Sequence, residues 1–271
     1  MSNCLNTALE KMKMKKRNIN LVLFSLFLAF LISLPILCVD RYMSHPDYPW
    51  QLVPFGADSL SQHYKERYVQ LKPDAIMRSL QDTAKPLVMV LVDGWGVPYD
   101  ENLLEGDFAH FTGKNVSFAV HKRLLQHTSH AEAVEYKQGF SKGVFLEIGD
   151  SSACAKKRQE QSSHFKQTIC CEKCNETRAA ATLDSLISLV NDSTWNSVAW
   201  TIRETREGDR DKLQSLLKNL SEIAIKHPDV QFVIQGTHRP LLGTPETRRK
   251  HLAPWVPVVL INCSLSGSAS K

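Results

Sequence analysis

Short, mostly apolar runs recur along the last two thirds of the chain. They lie at 86–92, 143–148, 197–202, 230–234 and 256–261, and the run at 86–92 is unbroken. Runs of this length, without alternation of polar and apolar positions, are typical of strands buried on both faces of a sheet. The pattern therefore predicts the central strands of one sheet.

Segments with helical periodicity lie among these runs. Apolar residues step by three and four positions through 211–226, which places them on one face of a helix. Residues 58–71 and 179–190 also predict helices. Strands separated by helix-length crossovers favour an α/β fold with a mostly parallel sheet flanked by helices, here at 86–262.

A different pattern occupies 21–39, where 19 residues carry no charge. As a helix this segment is roughly 28 Å long, close to the roughly 30 Å of a bilayer's hydrocarbon core. A cleaved signal peptide is the alternative, but residues 35–40 (PILCVD) offer no A-x-A-like site. We expect a retained transmembrane helix and hence the lipid bilayer as a partner.

The distribution of charge sets the expected orientation. Residues 1–20 hold five Lys or Arg against Glu10 alone, so +4 of the total net charge of +5 lies in this tail. The positive-inside rule makes 1–20 a basic cytoplasmic tail and places everything after 39 outside the cytoplasm. A nucleic-acid binder needs its positive charge on the folded domain, so the same distribution disfavours nucleic acid as a partner.

Three further segments complete the predicted organisation. Residues 40–85 are expected to form a juxtamembrane stalk and a helix, and 263–271 a flexible tail. Residues 149–178 are polar, bear cysteines and lack periodicity, which predicts an insertion or long loop. The cysteines beyond the transmembrane segment are Cys154, Cys170, Cys171, Cys174 and Cys263. Their spacing favours disulfides or thiols in an oxidising compartment over a zinc site.

Candidate chemistry begins where the first apolar run ends. Asp93 and Gly94 follow it directly. The working residues of α/β sheets gather beyond the carboxyl ends of the strands, and a carboxylate there can hold a divalent metal. An Asp-Gly turn with a purely local role explains the same two residues equally well.

Two hydroxyl residues are flanked by two histidines in the segment 127–130, which reads His-Thr-Ser-His. Thr128 or Ser129 could act as a nucleophile activated by a neighbouring base or metal. The competing interpretation is a helix start, in which these hydroxyls cap the helix and Glu132 completes the capping box.

Arginine and histidine follow two further strands. Arg203 and Arg206 lie in an alternating charge run after the 197–202 strand, and His238 and Arg239 follow the 230–234 strand. Guanidinium groups match phosphate or sulfate oxygens with two parallel hydrogen bonds, so all three arginines are candidate oxyanion ligands. A self-neutralised, solvated charge run is the alternative for 203–211.

The order of these elements resembles the alkaline phosphatase/sulfatase superfamily. The resemblance rests on the buried strand ending in Asp93-Gly94-Trp95-Gly96, the later Thr128, and His238 after an apolar strand, and it spans roughly 86–262. It implies that Asp93 and His238 bind a divalent metal (Zn²⁺ or Mn²⁺) and that Thr128, or Ser129, is the covalent nucleophile.

A departure from the family pattern leaves two functional hypotheses open. Where the family has Asp-His-Gly this chain has Thr237-His238-Arg239, so one metal carboxylate is missing. Glu204 or Asp209 could replace it, and His251 is the only later imidazole. The first hypothesis is a membrane-anchored, extracytoplasmic, metal-dependent phosphoester or sulfate-ester hydrolase or transferase. The second is a non-catalytic, membrane-tethered binding or assembly domain for an anionic ester, a glycan or a partner protein.

Overall fold

The computed structural model describes most of the chain from Ser59 onward. The described residues are 59–71, 76, 80, 85–113, 115–123, 127–136, 140, 143–161, 164–172, 174–190, 195–203, 210–242, 247 and 250–264, together with helical positions 24, 25 and 27. The chain divides into two units, Met1–Pro54 and Phe55–Lys271. Nearly all described residues belong to the second unit.

The second unit alternates strands with helices. Its strands are β1 (Val69–Leu71), β2 (Leu87–Val92), β3 (Val116–Lys122), β4 (Gly143–Ile148), β5 (Gln167–Cys171), β6 (Ser197–Ile202), β7 (Gln231–Gly236) and β8 (Trp255–Ile261). Its helices are α1 (Gln62–Arg67), α2 (Glu101–Phe108), α3 (Thr128–Tyr136), α4 (Ser151–Gln161), α5 (Glu176–Val190) and α6 (Arg210–Lys226).

The strands form one eight-stranded sheet in the order β1-β3-β8-β7-β2-β6-β4-β5. Every described pairing is parallel except the two made by β8, which runs against β3 and β7. The predicted mixed α/β architecture with a mostly parallel sheet is confirmed. Strands β2, β6 and β7 are buried at every position, as their mostly apolar sequences predict.

Helices cover both faces of this sheet. On one face α5 and α6 bury Leu183, Ile187, Leu217 and Leu220 in the larger core. On the other face a cluster of rings, Tyr136, Phe140, Phe145 and Phe165, packs mostly edge to face or tilted. The two cores hold β2, β6 and β7 in place, and with them the residues that follow these strands.

The structure differs from the sequence-based expectation in two segments. Residues 149–178 are not a long irregular loop, because they contain helix α4, strand β5 and the start of α5. Strand β5 lies at the edge of the sheet, so it lacks the continuous apolar run of a central strand. The helix expected at 58–71 is shorter, because Tyr68 caps α1 in extended conformation and β1 follows at once.

The predicted transmembrane segment 21–39 lies outside the described residues apart from Phe24, Ser25 and Phe27, as do the tail 1–20 and most of the stalk. Among the residues that the structure describes, no helix has both the length and the apolar character needed to cross a bilayer.

Candidate functional site

Three neighbouring strands end side by side at one edge of the sheet. Val92 of β2 pairs with Ile202 of β6 on one side and with Gly236 of β7 on the other. Because the three strands are parallel, the residues that follow them emerge together at the carboxyl edge. These residues are Asp93, Arg203, Thr237 and His238.

The Asp93 side chain is 5% exposed and each of its oxygens faces a partner. Thr237 donates its hydroxyl to Oδ1 across 2.7 Å. On the other side Nη1 of Arg203 lies 3.7 Å from Oδ2. The buried carboxylate is thus stabilised by a neutral hydroxyl and a guanidinium.

The His238 ring links the end of β7 to helix α3. Its Nδ1 lies 2.7 Å from the carbonyl oxygen of Arg239, and only a protonated Nδ1 can donate to a carbonyl. In the neutral ring this leaves the lone pair on Nε2. That atom lies 3.3 Å from Oγ1 of Thr128 and 3.9 Å from Oδ1 of Asp93. His238 is therefore oriented to accept the hydroxyl proton of Thr128.

Thr128 is the first residue of α3, and it is half-buried. Backbone N–H groups at a helix N-terminus point outward and favour negative charge nearby. Ser129, the other predicted nucleophile, is exposed, and its Oγ lies 2.7 Å from Nδ1 of His127. A helix begins at this segment as expected, but the two hydroxyls lie beside imidazole rings rather than forming the expected capping box.

A buried carboxylate one turn along α3 extends the site, and sequence reasoning did not select it for the chemistry. Oε1 of Glu132 accepts from Arg203 at 3.1 Å, and Oε2 lies 2.5 Å from Nζ of Lys157 on α4. Burial opposes the charged form of Arg203, but Glu132 and Asp93 together raise the pKa of its guanidinium. Arg203 bridges two carboxylates and still has 47% of its side chain exposed to an incoming ligand.

A cavity of about 290 Å³ opens beside Asp93 and Trp95. Its basic lining residues are Arg203, Arg210, Lys212, Lys250 and His251. Burial lowers the pKa of His251, and the charges of Arg210, Arg239 and Lys250 lower it further, although a backbone hydrogen bond to Thr247 opposes them. Leu103, Leu213 and Leu216 supply an apolar wall, so the cavity suits a ligand with an anionic end and an apolar or neutral body.

The divalent metal that the resemblance implies needs several carboxylate or imidazole donors close together. Within the described part of the chain no three His, Cys, Asp or Glu side chains come together as a metal site. Asp93 and His238 supply one carboxylate and one imidazole, and Thr237 stands where a second carboxylate would be needed. A guanidinium already faces Asp93. These residues do not fit a Zn²⁺ or Mn²⁺ centre of the expected kind.

The structure thus gathers four of the predicted site residues: Thr128, Asp93, His238 and Arg203. Arg239 is buried, and its carbonyl oxygen lies 2.7 Å from Nδ1 of His238. Arg206, Glu204 and Asp209 lie outside the described residues. The sequence offered only the late position of His251 as a reason to consider it. In the structure His251 lines the cavity beside Asp93.

Comparison with known proteins finds similarity in fold. The chain is similar to the lipoteichoic acid synthase LtaP from Listeria monocytogenes, at 9% identity, over 76% of this chain and 69% of that one, with a TM-score of 0.43. It is similar to a protein in the alkaline phosphatase superfamily from Vibrio parahaemolyticus, at 12% identity, over 69% of this chain and 63% of that one, with a TM-score of 0.41. It is also similar to the Streptococcus pyogenes phosphoglycerol transferase GacH in complex with sn-glycerol-1-phosphate, at 10% identity, over 68% of this chain and 70% of that one, with a TM-score of 0.42.

One of these structures is a protein of the superfamily that the strand-end motifs resemble. No protein-family model matches the sequence, and no curated protein matches it with significance. At such low identities and TM-scores, the likeness establishes no shared substrate or reaction.

Proposed function

We propose that the protein is a hydrolase or transferase of phosphate or sulfate esters, with Thr128 as its nucleophile and His238 as its base. One observation carries the proposal: the Thr128 hydroxyl lies 3.3 Å from Nε2 of a His238 ring whose Nδ1 is engaged by a backbone carbonyl. A threonine hydroxyl needs an adjacent base to attack at neutral pH, and this geometry provides one.

In the first step Oγ1 of Thr128 forms a bond to the phosphorus or sulfur atom of the ester. The hydroxyl proton passes to Nε2 of His238, and the bond to the alcohol oxygen breaks on the opposite side of the transferred group. The alcohol oxygen takes a proton from solvent. Water or an acceptor alcohol then attacks the Thr128 ester and releases its proton to solvent, while Thr128 recovers its proton from His238.

Arg203 supplies positive charge to the transferred group. Its guanidinium is exposed on one side and anchored by Asp93 and Glu132 on the other, so little freedom is lost when it binds an anion. The N-terminus of α3 adds N–H dipoles beside Thr128. The donor set around Asp93 suits this guanidinium better than the expected metal, so Arg203 takes over the neutralisation of charge.

We place this site on the outer side of a membrane. The support is the uncharged segment 21–39 with its basic flank at 11–17, which orients the domain outward. The disulfide between Cys171 and Cys174 also supports an oxidising compartment.

The test uses the full chain, purified in detergent, with p-nitrophenyl phosphate and p-nitrophenyl sulfate. We expect release of p-nitrophenol, and we expect Thr128→Ala to abolish it without changing the melting temperature by more than a few degrees. Thr112→Ala is the matched control, because Thr112 is exposed in the loop before β3, at the opposite edge of the sheet. Turnover that survives Thr128→Ala but not Ser129→Ala would assign the nucleophile to Ser129 and contradict the proposal.

A binding domain is the second candidate, because both oxygens of Asp93 are already engaged by Thr237 and Arg203. On this alternative neither ester is turned over, and inorganic phosphate or sulfate still raises the melting temperature. Arg203→Met would remove that shift while Thr128→Ala would leave it in place.

A further inference from the structure

Two consecutive cysteines near the end of β5 face opposite sides of the sheet edge. Successive strand residues point to opposite faces, so Cys170 and Cys171 cannot share a partner. Cys171 forms a disulfide with Cys174, and its Sγ lies 3.6 Å from the hydroxyl of Thr182 on α5. Cys170 therefore faces the other side, where α4 packs.

On that side Cys154 of α4 is a neighbour of Cys170. Sγ of Cys154 lies 3.9 Å from the carbonyl oxygen of Gly149, which follows β4, the strand paired with β5. Cys154 is 3% exposed, and Cys170 is half-buried. Residue 170 is paired with Glu147 of β4, and Glu147 in turn lies beside Lys157 of α4. The thiol pair thus lies at the contact of α4 with the outermost strand.

We propose that Cys154 and Cys170 are an oxidisable dithiol that closes into a second disulfide and fastens α4 to β5. Two neighbouring thiols at the packing of a helix on a strand need little backbone movement to reach bonding distance. The inference does not depend on the chemistry assigned to Thr128 and His238.

A small external disulfide, such as oxidised glutathione, is the oxidant. The more exposed Cys170 attacks it first, forming a mixed disulfide and releasing one thiol. Burial and the neighbouring Cys170 raise the pKa of the Cys154 thiol to about 12, so Cys154 is poorly suited to begin the exchange. Cys154 then attacks the Cys170 sulfur and displaces the second thiol. Two protein thiols are oxidised, and one external disulfide is reduced to two thiols.

The bond would also restrain the candidate site. Cys154 and Lys157 are three positions apart on α4 and so lie on the same side of the helix. Lys157 contacts Glu132, and Glu132 contacts Arg203. A disulfide at Cys154 would restrain α4, and with it the position of Lys157 beside Glu132.

Peptide mapping of the full chain tests the pairing. The protein is incubated with oxidised glutathione, alkylated while unfolded and digested with trypsin without reduction. The sequence places Cys154 in peptide 143–156, Cys170 and Cys171 in 167–173, and Cys174 in 174–178. We expect the three peptides to be joined by two disulfides. Alkylated Cys154 and Cys170, or a bond from Cys154 to Cys174 or Cys263, would overturn the proposal.

Variants separate the two disulfides. In Cys171→Ser/Cys174→Ser we expect peptides 143–156 and 167–173 to stay linked, whereas Cys154→Ala should release 143–156. Loss of the second bond should lower the melting temperature of the oxidised protein by roughly 5–10 °C. Cys170→Ser repeats this test at the more exposed position. Cys263→Ser is the control, because Cys263 lies after β8 and contacts the carbonyl of Phe232.

Discussion

Nε2 of His238 lies 3.3 Å from Oγ1 of Thr128, although 110 positions separate the two residues in the sequence. His238 follows a central strand and Thr128 begins a helix, so the two side chains meet only when that helix is packed on the sheet. The pair is a product of the tertiary fold, and it can be tested from either side.

Replacing His238 by Gln removes the base and keeps a side chain that forms hydrogen bonds. We expect kcat/KM for p-nitrophenyl phosphate to fall by about 10²–10⁴-fold, because Thr128 then has no acceptor for its proton. Steady-state kinetics measure the change. His227→Gln is the matched control, since His227 pairs with Asp184 at the opposite edge of the sheet. Equal activity of both variants would remove His238 from the mechanism.

Arg203→Met keeps the length of the side chain and removes its charge. We expect KM for the phosphate ester to rise about tenfold or more, because the transferred oxygens lose their exposed guanidinium partner. The removal also leaves the buried Asp93 and Glu132 without this counter-charge, so thermal unfolding must be followed alongside the kinetics. Arg67→Met, at an exposed ion pair on α1, should leave KM unchanged.

Thr237→Asp places a second carboxylate beside Asp93. We expect millimolar Mn²⁺ to raise the melting temperature of this variant by several degrees and that of the wild type by much less, because a carboxylate pair with His238 supplies the donors that are missing now. Adding Arg203→Ala should enlarge the effect. Thr112→Asp controls for an added surface charge. A wild type stabilised by Mn²⁺ as strongly as the variant would contradict the donor-set argument.

Gly236 ends β7 where the backbone of Trp95 passes very close. An added Cβ would collide with the carbonyl oxygen of Trp95, so Gly236→Ala must separate the loop after β2 from the end of β7. We expect a loss of about 1–3 kcal/mol or more in the free energy of unfolding, measured in urea. In the opposite sense, Gly106→Ala meets open space on α2 and should gain about 0.5–1 kcal/mol.

The burial of Glu147 predicts the sign of one pH dependence of stability. Burial raises its pKa, although Arg203 and Lys157 oppose the shift. A carboxyl whose pKa is higher in the folded state contributes stability at low pH and loses it as the pH rises through the folded pKa. We therefore expect Glu147→Gln to become more stable relative to the wild type as the pH is raised from about 4 to 7. Exposed Glu222→Gln should show no such trend in urea titrations.

The central part of the fold was predictable because burial on both faces leaves a visible pattern. The five apolar runs correspond to β2, β4, β6, β7 and β8. Strands β1, β3 and β5 were missed, since β1 and β5 are edge strands and β3 includes Ser117, His121 and Lys122. A strand with one exposed face or edge need not be continuously apolar.

The sequence predicted the site residues that directly follow buried strands, and it did not predict the buried ion pair between two helices. Asp93, Arg203 and His238 follow buried strands, which is a positional signal in the sequence itself. Glu132 and Lys157 lie on helices, and nothing in their neighbours distinguishes a buried ion pair from a solvated one. Their burial follows from the packing of α3 and α4 on the sheet, which local sequence does not encode.

The reversed direction of β8 has a practical consequence. Because β8 runs against β3 and β7, residues 262–264 leave the sheet at the margin away from Thr128 and His238. A fluorescent reporter or an immobilisation handle fused beyond this point would lie at the opposite margin of the sheet from the candidate site. Single-molecule recordings on a tethered protein could then test for the proposed turnover.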